Sequence, residues 1–303
     1  VRDTTSAIRA GGAEPPARVF QQHRPVLLGV AYRMLGSFAD AEDVVQEAWL
    51  RWSGVDHAAI HGSRQFLVAV VSRLAIDRMR LVYRRRETYV GTWLPEPVRA
   101  DEAGPADTVA QRDTLSLATL RLMEQLTPPE RGVYVLREAF ELPYEEIAGI
   151  LGLRADHTRQ LHRRGVARLA AERSRFPVDP GVHHDLVEQF LVAARTGDRA
   201  GLQRLLAHDV TLWTDGGGKV SAALRPVSGA DKVARLFAGT IAKRPGTTFR
   251  MVDVNGEPGV LVRRGSRWQV CALEIADGRI AGVLWISNPD KMPAARWAGA
   301  GRG

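Results

Sequence analysis

Asp40-Ala-Glu-Asp-Val-Val-Gln-Glu-Ala-Trp-Leu-Arg-Trp52 sets Ala41, Val44, Val45, Ala48, Trp49 and Trp52 at i, i+3, i+4, i+7, i+8 and i+11, one apolar stripe at 3.6 residues per turn. Asp40, Glu42, Asp43, Gln46 and Glu47 take the remaining surface, and no basic residue appears before Arg51. In a chain of pI ≈ 10.2 such a face is unsuited to nucleic acid and points to a basic protein partner. Acids in a first turn also favour a helix through its dipole, so periodicity leaves the plain amphipathic helix open as well.

Outward from that helix, residues 18–86 read as helical throughout. A polar connection from Ser53 to Ser63 holds Gly54, Gly62, His57 and His61; with no third ligand nearby, no metal site is expected. Gln65 to Arg80 forms the next helix, with Leu67, Val70, Val71 and Leu74 inward and Arg73, Asp77 and Arg80 outward. Arg73 and Asp77 are spaced to pair across one turn. Residues 87–112 break the pattern. Tyr89-Val-Gly-Thr-Trp-Leu-Pro-Glu-Pro97 has two prolines that fix φ and extend their predecessors, while Trp93 and Leu94 are too apolar for a solvated tether and should dock.

Helices resume near Asp113, and Thr127-Pro-Pro-Glu130 is a capping box with proline at the first helical position. Residues 144–153 and then 156–164 read as a helix, a tight turn at Gly152 and a second helix. Thr158, Leu161, Gly165 and Leu169 face inward; His157, Arg159, Gln160, Arg163 and Arg164 face out. A helix-turn-helix places that outer face in the major groove, where Arg reads guanine, Gln reads adenine and neighbouring arginines grip phosphate.

A chain of 303 residues exceeds the usual single domain, so two or three are expected. The 45% hydrophobic and 25% charged shares fit a soluble globular protein, and no apolar run reaches a membrane-spanning length. No export signal is read at residues 1–17, and a single cysteine, Cys271, excludes an intramolecular disulfide; cytoplasmic residence is the expectation. Total charge does not locate the DNA surface, because residues 1–180 carry only +2 and residues 181–303 carry +6. Local clusters do. Arg73, Arg78, Arg80, Arg84, Arg85 and Arg86 oppose only Asp77, and Arg154, Arg159, Arg163, Arg164, Arg168, Arg173 and Arg175 oppose only Asp156 and Glu172.

Ala41 to Glu47, taken with a helix-turn-helix about one hundred residues downstream and a Pro-bearing linker between, resembles bacterial sigma factors of the extracytoplasmic-function (ECF) group. The resemblance implies that Asp43, Gln46 and Glu47 meet the clamp helices of the largest RNA polymerase subunit. Residues 73–80 resemble the sigma helix that holds the opened −10 element, with Arg73, Asp77, Arg78, Arg80, Arg84 and Arg85 as DNA contacts and the preceding loop taking a flipped base. Residues 142–168 resemble the −35 reader. Here Arg154 replaces the small hydroxyl residue that usually caps the recognition helix; either Asp156 caps it or the first turn frays, a loss of about 1 kcal/mol.

Ordinary ECF sigma factors end near residue 175, and this chain continues. Residues 186–195 and 200–206 read as short helices, 209–215 as a strand, 216–218 as a turn and 229–243 as a helix. Strands follow, separated by Asn255-Gly256 and Asp277-Gly278, both hairpin signals, so an antiparallel α+β domain is expected. Residues 190–216 resemble the SnoaL-like, ketosteroid-isomerase-like cone fold, whose pocket Trp213, Trp268 and Trp285 could line. Isomerase-type chemistry needs a carboxylate base and an oxyanion donor, commonly tyrosine, and residues 181–303 contain no tyrosine. Asp215-Gly-Gly-Gly-Lys219 is a turn carrying a contact site or a plain hairpin; its spacing is not that of a phosphate loop.

Trp93-Leu-Pro-Glu-Pro97, Asp215-Gly-Gly-Gly-Lys219 and Asn288-Pro-Asp-Lys291 resemble segments of the ECF subgroup with a fused SnoaL-like domain, with Met292 where leucine is usual. That subgroup implies regulation in cis, through Trp93, Leu94, Pro95, Glu96, Asp215, Lys219, Asn288, Asp290 and Lys291. In a physical version, Lys219 or Lys291 pairs with Glu96 while Trp93 and Leu94 pack on the C-terminal domain.

The expected fold is thus multidomain: two all-α sigma domains, region 2 at 18–86 and region 4 at 113–175, joined by a linker at 87–112 and followed by an α+β SnoaL-like cone at 181–293. The expected function is promoter-specific transcription initiation with core RNA polymerase and promoter DNA as partners, no catalysis, no cofactor and no metal, and a small-molecule ligand left open for the C-terminal pocket. The rival is a ligand-sensing DNA-binding regulator or small-molecule enzyme without polymerase binding, which would not require the acidic helix.

Overall fold

Pro16 at the first helical position starts α1 (Pro16–Leu35), and Gly36 at φ 67 ends it in the left-handed cap that glycine takes without strain. Ser37 then caps α2 (Phe38–Ser53), its side chain accepting the Asp40 N–H. The expected stripe is the buried face: Ala41, Val44, Val45, Ala48 and Trp52 lie inside, and Trp49 packs against them. A single 3-10 turn, His57–Ala59, interrupts the connection to α3 (Ser63–Arg86), which continues past the expected Arg80. The computed structural model describes residues 15–86, 88–99, 102, 114–170, 179–241 and 246–298. Asp113, Glu172, Arg173, Arg175 and Lys243, named among the sequence expectations, lie outside the described residues.

The second helical unit holds α4 (Leu117–Leu122), α5 (Pro128–Glu138), α6 (Tyr144–Leu151) and α7 (Ala155–Ala170). The capping box at α5 forms, with the Thr127 N–H donating to Glu130 at 3.0 Å. Gly152 sits at φ 67 between α6 and α7, and Thr158, Leu161, Gly165 and Leu169 are the buried side of α7.

The C-terminal unit opens with α8 (Pro180–Thr196) and α9 (Arg199–Leu205). Six strands follow, β1 (Leu206–Asp215), β2 (Val227–Ser228), β3 (Thr247–Val254), β4 (Glu257–Arg264), β5 (Arg267–Ala276) and β6 (Arg279–Ile286), with α10 (Ala230–Ile241) before β3 and α11 (Ala294–Trp297) after β6. Both hairpin signals are borne out: Asn255 and Gly256 take φ 56 and 85, and Asp277 and Gly278 take φ 50 and 67. The sheet order is β2-β1-β6-β5-β4-β3. β1 and β6 run parallel, which corrects the antiparallel expectation. The long connection through α10 carries the chain back to the same end of the sheet, as a parallel pair requires.

Alternate residues of this sheet enter two different cores. Val210, Leu212, Val260, Val262, Cys271, Leu273 and Val283 face α8, α9 and α10. Trp213, Val252, Leu261, Val270, Ala272, Leu284 and Ile286 face away from those helices and join the core formed by α1 to α7 and linker residues Leu94 and Val98. Met292 and Trp297 of the C-terminal tail complete that second seam. Both faces of the sheet are therefore buried. Among the described residues no helix is long and apolar enough to cross a membrane.

Candidate polymerase and DNA surfaces and the joint between them

Burying one stripe of α2 forces its opposite face outward, and Asp43, Gln46 and Glu47 are exposed there. Glu47 pairs with Arg51 one turn on at 2.7 Å, and Asp43 with Arg78 of α3 at 3.0 Å. Arg78 also forks onto Asp40 at 2.7 and 2.9 Å, which holds its guanidinium above its ordinary pKa. Leu50, exposed on the same turn as Gln46 and Glu47, adds an apolar spot to the acidic face.

Of the expected −10 contacts, Arg78 is thus already engaged. Arg73 and Asp77 do not pair. Arg73 reaches instead across to the second helical unit and donates to the carbonyls of Ile150 at 2.6 Å and Gly149 at 3.0 Å, the open C-terminal end of α6, while Asp77 takes Arg80 at 3.0 Å. A helix end with unpaired carbonyls is a better partner for a guanidinium than an exposed carboxylate one turn away. The side chains of Arg84 and Arg85 lie outside the described residues. On α7, His157, Arg159, Gln160, Arg163 and Arg164 form the expected exposed face. Arg159 pairs with Glu145 of α6, and Arg164 lies 3.8 Å from Glu130. Asp156 is the second residue of α7 and takes Arg154 at 3.1 Å; that bond, with the His157 N–H, lowers its pKa.

The linker docks as its apolar residues require. Leu94 is fully buried; its N–H donates to Asp215 Oδ2 at 2.9 Å, and its carbonyl accepts from the Lys291 ammonium, which binds the same Asp215 oxygen at 2.7 Å. Trp93 lies between two cations, Arg86 at 3.3 Å and Lys291 at 4.1 Å from its ring centroid. The Tyr89 hydroxyl donates to Asp215 Oδ1 at 2.6 Å and accepts from Asn288 Nδ2 at 2.9 Å. Burial lowers Lys291 to about 8 against the pull of Asp215, and burial with the Asp215 bond raises the Tyr89 phenol. Arg86 is lowered to about 9, by burial first and then by neighbouring Arg131.

Neither expected lysine pairs with Glu96. Lys219 takes Asp290 at 2.6 Å on the surface, and Lys291 takes Asp215. The Glu96 carboxylate is drawn to the start of α2, where it accepts the Phe38 N–H at 2.8 Å and the Ala39 N–H at 3.4 Å, and its other oxygen takes Arg296 at 2.6 Å. Pro95 is buried beside it. Of the three tryptophans expected at the C-terminal pocket, only Trp285 lines it. Trp213 and Trp268 have the other strand parity and pack in the seam, Trp213 under Arg121 at 4.0 Å.

Residues 19–86 match the family model Sigma-70 region 2, and residues 116–169 match Sigma-70, region 4. ECF RNA polymerase sigma factor SigJ of Mycobacterium tuberculosis (strain ATCC 25618 / H37Rv) is 37% identical over 287 residues, covering 90% of this chain and 92% of that protein. This chain is an ECF sigma factor. Probable ECF RNA polymerase sigma factor SigI of Mycobacterium tuberculosis is 32% identical over 288 residues, covering 93% of this chain and 97% of that protein. The crystal structure of the M. tuberculosis SigJ superposes with a TM-score of 0.73 at 34% identity over 94% of this chain and 99% of that one. The C-terminal unit, the expected cone, is α+β as the sequence motifs indicated, a six-stranded sheet covered on one face by α8, α9 and α10.

Three joints of this sigma factor were missed in the sequence. Asn255, expected only as a turn residue, is fully buried where region 2, the linker, region 4 and the cone meet. Its Nδ2 donates to the Tyr32 hydroxyl at 2.7 Å and the Leu115 carbonyl at 2.9 Å, and its Oδ1 accepts the Val98 N–H at 3.0 Å. Arg121 of region 4 forks onto Glu274 of β5 at 2.9 and 3.3 Å. Arg296, the partner of Glu96, lies on α11 with its guanidinium 4.4 Å from the Phe38 ring.

Proposed function

We propose that this chain binds core RNA polymerase through the acidic face of α2, reads −10 DNA with α3 and −35 DNA with α7, and is held closed by its own SnoaL-like domain. The chemistry of initiation belongs to the polymerase. One observation carries the closed reading: regions 2 and 4 are in direct contact, with Arg73 of the −10 helix spent on carbonyls of the −35 domain. The −10 and −35 elements are about 25 base pairs apart, so roughly 85 Å of duplex separates them at about 3.4 Å per base pair. Two touching domains cannot occupy both. Opening has to break the seam made by Leu94, Trp93, Asp215, Lys291, Asn255 and the Arg121–Glu274 pair.

Transcription in vitro with purified core polymerase tests this, using the full chain, a chain ending near Pro293 and a chain ending near Phe176. The chain ending near Pro293, which loses Arg296 and Trp297 from the seam, should initiate more than the full chain at limiting polymerase. DNA binding with no initiation by any of the three would instead establish the rival, a DNA-binding regulator that never engages polymerase.

A further inference from the structure

Behind the exposed face of α7 lies a side-chain cluster that neither the acidic helix nor the seam uses. His162 follows Arg159 by three residues on α7, so the two are neighbours along one side of the helix. The His162 side chain is 12% exposed against 50% for Arg159. Its Nε2 lies 3.0 Å from Glu138 Oε1 on α5, and its Nδ1 lies 3.1 Å from the Tyr144 hydroxyl on α6. The Tyr134 ring of α5 stacks beside it, with centroids 6.3 Å apart and planes at 25°. One imidazole thus joins α5, α6 and α7.

The partners decide the tautomer. The bond to His162, ahead of every other influence, holds the Glu138 carboxyl below its ordinary pKa. An ionised carboxylate only accepts, so Nε2 carries a proton, and in the neutral ring Nδ1 accepts from the Tyr144 hydroxyl. That bond pins the direction of the phenol ring. Tyr144 is the first residue of α6, and the Arg159 guanidinium sits 5.5 Å from its ring centroid, with Arg137 of α5 at 4.9 Å. Arg159 also pairs with Glu145, but an exposed ion pair holds a long side chain weakly, so the ring contact gives Arg159 its direction. Contacts therefore run from Glu138 through His162 and Tyr144 to Arg159 on the exposed face of α7.

We propose that His162 is a positioning residue for −35 recognition: it fixes the Tyr144 ring against which Arg159 is aimed at a base edge. This rests on the reading of α7 as the −35 helix. Both His162 ring nitrogens are engaged by protein, so its influence reaches DNA through Arg159. Arginine reads guanine through a planar two-point fork, so an error in its direction costs specificity before it costs phosphate affinity.

The probe is a promoter duplex that wild-type holoenzyme, the full chain on core polymerase, enriches from a random-sequence pool. The readout is its affinity relative to the same duplex with the −35 element scrambled. His162→Leu should lower that ratio at least about fivefold, and Tyr144→Phe, which keeps the ring and loses only the hydroxyl, about threefold. His162→Gln offers an amide nitrogen to Glu138 and an oxygen to Tyr144, and should keep the ratio within about twofold of wild type. Arg159→Ala should lower the ratio about as far as His162→Leu, and combining the two should cost at most about a further 1.5-fold. A wild-type ratio in Tyr144→Phe or Arg159→Ala, no rescue by His162→Gln, or losses that multiply in the double variant would overturn the positioning role alone. A holoenzyme that enriches no −35 element would overturn the reading of α7 beneath it.

Discussion

The two faces of the six-stranded sheet are both buried, yet they are built differently. The helix-covered face is lined by aliphatic and aromatic side chains such as Val210, Leu212, Leu273 and Val283 against α8 to α10. The sigma-facing side has an apolar centre around Leu261, Val270 and Leu284 but a rim of polar groups, Asp215 and Asn255 buried and Glu274 half-buried. A permanent core gains nothing from such a rim. A surface that has to separate and re-form does, because each rim group finds water when the seam opens and a designated partner when it closes. The difference agrees with the proposed closed state, in which the first face is the domain's own core and the second a docking interface.

Four substitutions distinguish the two faces. Asp215→Ala has the largest expected effect. It strips Lys291, Tyr89 and the Leu94 N–H of their common acceptor and should weaken docking by about 4 kcal/mol, leaving the cone's own melting little changed. Proteolysis of the linker in the native chain reads the docking term. Leu273→Ala, on the other face, should do the reverse: about 3 kcal/mol lost from the cone's unfolding and no faster linker cleavage. If both substitutions accelerate cleavage equally, the two faces are one cooperative core.

Asn255→Gly keeps the φ of 56 accessible and removes only the amide that ties Tyr32, Leu115 and Val98 together. Docking should weaken by about 2 kcal/mol, with the β3–β4 hairpin intact by amide exchange. The smallest effect is on pH. Burial, then Glu274 and Asp253, raise Glu257 from 4.5 to about 7. A carboxyl raised in the docked state contributes stability that is full below its undocked value and is lost as pH rises through about 7. Linker cleavage should therefore be faster at about pH 8 than at about pH 6, and Glu257→Gln should flatten the profile. A steeper profile in the variant would assign the titration to another group.

What was legible in the sequence was local. The α2 stripe, the Thr127 capping box, the left-handed turn at Gly152 and the Asn255-Gly256 and Asp277-Gly278 hairpins are each set by a few neighbouring residues, and each formed. The second core was illegible because Leu212 and Trp213 are both apolar, so alternation could not say that they serve different neighbours. Ion-pair partners were the weakest part. Glu96 finds Arg296 two hundred residues away and Asp215 finds Lys291 seventy-six away, and pattern reading has no means of matching carboxylates to cations at that range. The segments 93–97, 215–219 and 288–291 do meet, through Leu94, Asp215 and Lys291, but Asn255, Arg121, Glu274 and Arg296 join the seam from outside them.

In the proposed closed state the cone keeps regions 2 and 4 together until initiation. Spin labels at Ser53→Cys and Val166→Cys, exposed on α2 and α7 with the native Cys271 buried, report that separation by pulsed electron resonance. One short distance is expected in the free chain, replaced by a much longer one when core polymerase and promoter DNA are added. The same distance in both states would contradict it.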